Sequence, residues 1–146
     1  MTIKETAGKV LLYFYQLQRT APLSMPSRQV GFIERKGGEG LALTSDKKPF
    51  AKDLLDINPS STDIFNAFTF LINKGFIETK ERAAPGARIY VGVQVTVAGI
   101  EAIESIEGGT DGKNQFEQNF NIKVGSNATV DSVIRDKLKA LISNSN

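Results

Sequence analysis

The chain contains neither cysteine nor histidine. Disulfide bonds are therefore impossible, and a zinc site built from cysteine and histidine is excluded. Catalysis by a Ser-His or Cys-His pair is excluded too, because the histidine that would act as the base is missing. Aspartate, glutamate and lysine are available for acid–base chemistry, but no motif groups them. We therefore expect a protein that is not an enzyme, with no catalytic residues, no metal site and no cofactor.

Long apolar runs are also missing. One of the longest, VLLYFY at residues 10–15, is far shorter than the roughly 20 residues of a helix that crosses a bilayer. The first residues lack the order of a secretory signal peptide, which runs from a basic region through an apolar run to a small-residue cleavage site. These observations predict a soluble, cytoplasmic protein.

An excess of one charge is missing as well. The 146 residues include 18 basic and 16 acidic side chains, which gives a net charge of +2. A nucleic-acid-binding module more often has a clear basic excess. Apolar residues make up 40% of the sequence, which is enough for a single core at this length. One ordinary domain, or one domain with a tail, is predicted.

A first helix is predicted over residues 3–19, and it is apolar on two sides. Val10 and Phe14 recur at helical spacing, whereas Leu12 and Tyr15 fall on the opposite side. A helix that is apolar on both sides is normally buried on both sides. Either the rest of its own chain covers it, or it lies in a dimer interface.

A β-hairpin insertion is predicted at about residues 28–44. The segments RQVGFIER and GLALT alternate between apolar and other residues, and the glycines of KGGEG between them suit a turn. The glycine cluster is not a P-loop, because no Gly-Lys followed by serine or threonine opens a helix there.

Two closely spaced helices follow the hairpin. The first, FAKDLLDI, ends at Asn58-Pro59, and Ser60 or Ser61 caps the second, which covers residues 60–74. The apolar stripe of this second helix consists of Ile64, Phe65, Phe68, Leu71 and Ile72. Gly75 stands where a helix often ends in a left-handed residue.

A two-stranded ribbon and a short helix come next. Strands are predicted at residues 76–82 and 87–96, with the turn residues Pro85-Gly86 between them, and a helix at residues 97–107. The second strand shows a strict alternation that predicts one shared face for Ile89, Val91, Val93 and Val95.

The remaining residues predict a linker and an extension. Residues 108–114 are linker-like in composition. Residues 115–146 are predicted to form a strand followed by a helix that Asn127 or Thr129 caps; the strand is indicated by the alternation of Phe116, Phe120, Ile122 and Val124. Neither element can bury its apolar side alone. The extension must therefore dock on the main domain or mediate dimerisation.

The order of elements over residues 3–19 and 46–107 resembles the winged-helix domains of bacterial transcriptional regulators of the MarR-like or PadR-like kind. The resemblance depends on the INPSS turn, on LINKGFIETKER at the entry to the ribbon, and on VTVAGIEAIE, which is similar to the T-x-x-G helix start after the second wing strand. It implies an α+β fold in which residues 1–107 form a winged helix-turn-helix, with a three-helix core, a β-hairpin wing and the N-terminal hairpin insertion.

In such domains the third helix enters the major groove of DNA. The outward side chains of helix 60–74 would then read base edges; they are Thr62, Asn66, Thr69 and Asn73. The residues expected to contact the DNA backbone are Ser60, Ser61, Lys47, Lys48, Lys80, Arg82 and Arg88. The resemblance implies a transcriptional regulator that binds double-stranded DNA as a homodimer.

Two residues depart from this pattern. The carboxylate of Asp63 lies near the outward face, where it would repel phosphate. Phe70 lies on the same face, and a large exposed apolar side chain more often marks a protein contact or lies beneath the chain's own tail. The alternative is a winged-helix module that binds protein and not DNA. The sequence indicates neither a DNA target nor a small-molecule effector.

Overall fold

The computed structural model describes residues 1–20, 29–34, 41–44 and 50–138. Within these ranges the chain has an α+β fold with six α-helices and one four-stranded sheet. The helices are α1 (Ile3–Thr20), α2 (Phe50–Ile57), α3 (Ser61–Asn73), α4 (Val97–Glu104), α5 (Gly109–Phe120) and α6 (Val130–Lys137). The strands are β1 (Gln29–Glu34), β2 (Leu41–Thr44), β3 (Ile77–Ala84) and β4 (Ala87–Val95). Lys47 and Lys48, both expected to contact the DNA backbone, lie outside the described residues.

The predicted hairpin insertion and the predicted ribbon form one antiparallel sheet with the strand order β2-β1-β4-β3. Strand β1 joins the two parts, because Phe32 pairs with Leu43 of β2 and with Arg88 of β4. The face that carries Phe32 and Tyr90 packs on α3, where the Phe68 ring lies 5.6 and 5.3 Å from those two rings. We call this the inner face of the sheet and the opposite one the outer face.

Helix α1 lies at the centre of the core. It contacts α3, α5 and β4, and its residues 6–8 and 10–15 are buried. Leu12 and Tyr15 are buried along with Val10 and Phe14, although the two pairs point to opposite sides. The chain itself therefore covers both apolar sides of α1, which is the first of the two explanations given by the sequence.

Two of the three sequence signatures that suggested a winged helix, LINKGFIETKER and VTVAGIEAIE, meet at one joint. Gly75 ends α3 with a φ of +74°, as predicted. The Thr96 hydroxyl donates to the Gly75 carbonyl and accepts the Gly99 N–H at 3.0 Å, which caps α4. The Thr96 N–H donates to the Phe76 carbonyl at 3.1 Å. A Cβ on Gly99 would lie 2.2 Å from the same Phe76 oxygen, so only glycine permits this approach.

Strand β4 changes faces at Gly92. The register pairs Lys80 with Val91 but Glu78 with Gln94, so β4 has one residue more than β3 in this interval. Such a bulge turns the following side chains to the other face, and Gly92 accommodates it with a φ of +66°. The prediction of one shared face is therefore wrong. Val93 and Val95 are buried, whereas Ile89 and Val91 lie half-buried on the outer face.

The predicted strand at residues 115–124 is also wrong. Helix α5 covers Gly109–Phe120, so the predicted linker contains the first turns of this helix, and Asn121 ends it with a φ of +53°. Phe116 and Phe120 are four residues apart, which places them on one side of a helix as well as on one face of a strand. Both rings are fully buried, and Phe120 lies against Gly8 of α1.

Helix α6 begins as predicted. The Thr129 hydroxyl accepts the Ser132 N–H at 3.1 Å, and the Ser132 hydroxyl accepts the Thr129 N–H at 2.9 Å. Arg19 of α1 donates to Asp131 at 2.7 Å and ties the two helices together. Val130, Val133 and Ile134 are buried. The described part of the predicted extension, residues 115–138, therefore docks on its own chain.

Candidate nucleic-acid interface

The turn between α2 and α3 is fixed by one buried amide. The Asn58 side chain accepts the Ser60 N–H at 2.9 Å and donates to Thr6 and to Asp63, both at 3.1 Å. The Ser60 hydroxyl accepts the Asp63 N–H at 3.2 Å and caps α3. Asp63 thus places its carboxylate in the first turn of α3, where the helix dipole favours a negative charge.

Ser61 does not lie on the surface of this turn. Its side chain is buried, and its hydroxyl accepts the N–H of Leu43 at 3.1 Å. This hydrogen bond holds β2 against the beginning of α3. The expected contact of Ser61 with a DNA phosphate is therefore not available, because the hydroxyl is enclosed by protein. Ser60 stays half-exposed, with its oxygen engaged in the helix cap.

The four side chains expected to read bases lie along one side of α3. Thr62, Thr69 and Asn73 are exposed, and Asn66 is half-buried. Their spacing of three or four residues aligns them along the helix. The Thr69 hydroxyl donates to the Phe65 carbonyl at 3.2 Å, one turn back along the helix. We call these four residues the polar face of α3.

The sequence left Phe70 either as a protein contact or as a side chain covered by its own chain. It is half-buried and packs against the core. The ammonium group of Lys74 lies 5.9 Å from the centre of its ring, a weak cation–π contact. Phe70 therefore flanks the polar face of α3 with its own chain covering part of the ring.

The register divides the three expected basic contacts of the β3–β4 hairpin between two faces. Lys80 pairs with Val91 and Arg82 with Ile89, so these two cations lie on the outer face. Arg88 alternates with its neighbours in β4 and lies on the inner face, near α3. All three side chains are exposed. The structure brings Lys80 and Arg82 together and separates Arg88 from them.

Arg88 lies between the hairpin and α3. Its Nε donates to Glu81 Oε1 at 3.1 Å, and its guanidinium carbon lies 5.8 Å from the centre of the Phe65 ring. Beside this pair, burial raises the pKa of the Tyr90 hydroxyl, and the nearby Glu81 charge adds to the increase, whereas Arg88 opposes it. Arg88 is therefore anchored in a mixed aromatic and acidic environment next to the polar face of α3.

A cleft of about 300 Å³ opens at this junction. Its walls come from α3, from the ends of β1 and β2, and from the hairpin turn; they include Phe65, Phe32, Leu41, Glu34, Ala84 and Arg88. The sequence did not indicate this cleft. Phe65 was assigned to the core stripe of α3, and the position of Arg88 beside it depends on pairing that a periodicity does not reveal.

The described residues contain no group of three or more acidic side chains placed to hold a metal ion. No helix in the described ranges is long and apolar enough to cross a membrane. Comparison of the chain with protein-family models, with curated proteins and with solved structures gives no match.

Proposed function

We propose that this protein is a winged-helix DNA-binding protein and a transcriptional regulator, similar to MarR-like or PadR-like regulators. In this proposal α3 enters the major groove, and the β3–β4 hairpin is the wing. The observation that carries it is the polar face of α3, where amide and hydroxyl groups are presented beside the wing. The order of α1, α2, α3, wing and α4 is consistent with this assignment, as is the joint formed by Thr96 and Gly99.

The proposed mechanism separates base reading from backbone binding. Asn66 and Asn73 would bond adenine edges, for which an amide side chain offers a bidentate match, and Thr62 and Thr69 would contact bases or thymine methyl groups. Arg88 would bind the phosphates that border the groove beside α3. Lys80 and Arg82, on the other face of the wing, would bind the neighbouring stretch of backbone.

The wing is tested by the salt dependence of binding. The double variant Arg82→Ala/Arg88→Ala should bind an arbitrary duplex of about 30 base pairs more weakly than wild type. The slope of log K against log salt should become shallower by about two, because each lost phosphate contact removes about 0.9. Fluorescence anisotropy over about 50–200 mM salt measures this slope.

A matched control is Lys123→Ala/Arg135→Ala, which removes two exposed cations from the region of α6. This variant has the same net charge as the wing variant and should keep a slope close to that of wild type. If the wing variant binds as tightly as wild type at every salt concentration, the assignment of the wing is wrong. If both double variants lose the same affinity for duplex DNA, the loss follows from net charge and not from the wing.

Base reading requires a different measurement. Asn66→Ala should relax sequence preference in a selection from a random duplex library, since a good bidentate contact discriminates by about 1–3 kcal/mol. The salt slope should stay unchanged, because an amide neutralises no phosphate. An unchanged selected sequence together with a shallower slope would contradict the role of Asn66.

The homodimer belongs to the same proposal, because two copies of α3 would then lie one DNA turn apart. The apolar sides of α1 and of residues 109–138 are covered within the chain, so they give the dimer no support. Light scattering with and without duplex DNA tests this prediction. A single copy of the protein on every bound duplex would contradict the predicted homodimer.

A second candidate function is a module that binds protein. The observation that favours it is an apolar strip on the outer face of the sheet, where Ile33 is 45% exposed and shares this face with Ile89 and Val91 of the neighbouring strand β4. Pull-down of one polypeptide that Ile33→Asp abolishes would support this function. Ile3→Asp is the control, since Ile3 of α1 is 47% exposed. Retention on duplex DNA by both variants would favour the first candidate.

A further inference from the structure

Glu81 lies where the proposed wing meets α3. It pairs with Tyr90 in the register and therefore points to the inner face of the sheet, the same face as Arg88. The two side chains are joined at 3.1 Å and are about equally open to solvent, with 46% of Glu81 and 47% of Arg88 exposed. The ion pair is thus accessible to a ligand that approaches the polar face of α3.

The other described charges of the hairpin are arranged differently. Lys80 and Arg82 lie on the outer face, as does Glu78, because side chains of β3 alternate along the strand. Arg88 is the inner-face cation of the hairpin, and Phe65 of α3 lies beside its guanidinium group. A phosphate that reached Arg88 would come close to the Glu81 carboxylate.

We propose that Glu81 is an affinity-limiting residue of the nucleic-acid interface, and that its carboxylate competes with backbone phosphate for Arg88. This inference depends on the proposed DNA-binding function. Binding of phosphate at Arg88 requires the Glu81 ion pair to loosen, and the two negative charges then repel each other. Glu81 therefore lowers affinity for any duplex, whatever its sequence.

The consequence concerns specificity. Phosphate contacts supply nearly all of non-specific binding, whereas base contacts distinguish sequences. A carboxylate beside a phosphate-binding arginine weakens the part of the binding free energy that is the same for every DNA sequence. It leaves the base contacts of the polar face of α3 unchanged. The protein would thus be held less strongly on non-target DNA, in keeping with its low net charge of +2.

The experiment compares Glu81→Gln with Glu78→Gln by anisotropy on an arbitrary duplex of about 30 base pairs. The two variants change the net charge equally and lie on the same strand. Glu81→Gln should bind about threefold to tenfold more tightly than wild type, from the loss of an exposed ion pair and of charge repulsion. Its salt slope should become steeper by up to about 0.9. Glu78→Gln should change affinity less than about twofold, since the nearest expected phosphate contacts do not pair with it.

The same two substitutions are then made in the Arg88→Ala variant. In this background Glu81→Gln should change duplex affinity no more than Glu78→Gln does. Equal tightening by both glutamine variants would overturn the proposal and leave DNA binding intact. A full effect of Glu81→Gln without Arg88 would overturn it as well. If wild type and all variants fail to bind duplex at about 50 mM salt, while circular dichroism shows them folded, the proposed function fails and this inference with it.

Discussion

Substitution of Gly99 by alanine tests the joint between α3, β3 and α4. At an unobstructed helix position, the change from glycine to alanine stabilises by about 0.5–1 kcal/mol. At Gly99 the new Cβ would lie 2.2 Å from the carbonyl oxygen of Phe76 and 2.8 Å from a methyl group of Val95. The first of these neighbours is backbone, which cannot rotate away as the end of a side chain can.

To relieve this contact, α4 or the start of β3 must move by about 1 Å, and such overpacking costs about 1–3 kcal/mol. The movement would also stretch the cap that Thr96 provides to the Gly99 N–H, and loss of a cap costs about 1 kcal/mol. After the helix preference is subtracted, we expect Gly99→Ala to lower the free energy of unfolding by about 1–3 kcal/mol.

Urea denaturation followed by circular dichroism measures this difference. The matched control is Ala98→Gly, at the adjacent exposed position of α4, which should lose only about 0.5–1 kcal/mol through helix propensity. In thermal unfolding, each kcal/mol of lost stability lowers the Tm by about 2–4 °C for a chain of this size. A Gly99→Ala variant that is more stable than wild type would refute the close approach of the Phe76 carbonyl to α4.

Four further predictions concern stability. Thr96→Val should cost about 1–2 kcal/mol in urea denaturation and Thr96→Ser clearly less, because serine keeps the capping hydroxyl; equal losses would contradict the cap. Gly8→Ala should cost about 1–3 kcal/mol, because its Cβ would lie 2.8 Å from Phe120, and a neutral effect would mean that α5 does not rest on Gly8. Truncation after Glu107 should cause aggregation, seen by light scattering, because it removes the cover of α1; a monodisperse truncated protein would argue against that role. Burial raises the pKa of Asp53 above its ordinary value, although the hydrogen bond from Tyr13 opposes the increase. The stability of wild type relative to Asp53→Asn should therefore be greatest below about pH 4 and fall as the pH rises through the folded-state pKa. A relative stability that rises over this interval would contradict the raised pKa.

Most helices of this chain could be predicted from apolar spacing and from end signals. Helix α1 was expected at residues 3–19 and is found at Ile3–Thr20. Of the two serines expected to cap α3, Ser60 is the cap, and Gly75 follows the helix as expected. These features are local, because a cap or a glycine acts within one turn of the helix. The polar face of α3 follows from the same spacing, since side chains opposite a core stripe are exposed by geometry.

The incorrect predictions occur where strand pairing or tertiary packing determines the local structure. Alternation predicted one face for Ile89 to Val95, but a single extra residue at Gly92 exchanges the faces, as a shift of one residue always does in a sheet. The same register places Arg88 on the inner face of the sheet together with Glu81, and Lys80 and Arg82 on the outer face. No local pattern contains that information.

Helix α5 was missed for a related reason. Its sequence, GTDGKNQFEQNF, contains residues of poor helix propensity, including two glycines. The fully buried rings of Phe116 and Phe120 lie 5.1 Å apart, and Phe120 lies 5.7 Å from Phe76. These contacts form only when α5 reaches the core, so tertiary packing outweighs a weak local preference. The local sequence shows only the weak helix propensity and not these contacts.

The central position of α1 has a consequence for how the protein is made. Translation produces α1 well before α5 and α6, which cover one of its sides, because about a hundred residues separate them. At a translation rate of roughly 5–20 residues per second, α5 and α6 are synthesised roughly 5–20 seconds after α1. That side of α1 stays uncovered during this time. During this interval a nascent chain exposes the side of α1 that carries Leu12 and Tyr15, between the contacts of Gly8 with α5 and of Arg19 with α6. Chaperones bind apolar segments of this kind. The docking of α5 and α6 therefore ends the interval in which this side of α1 is open to aggregation.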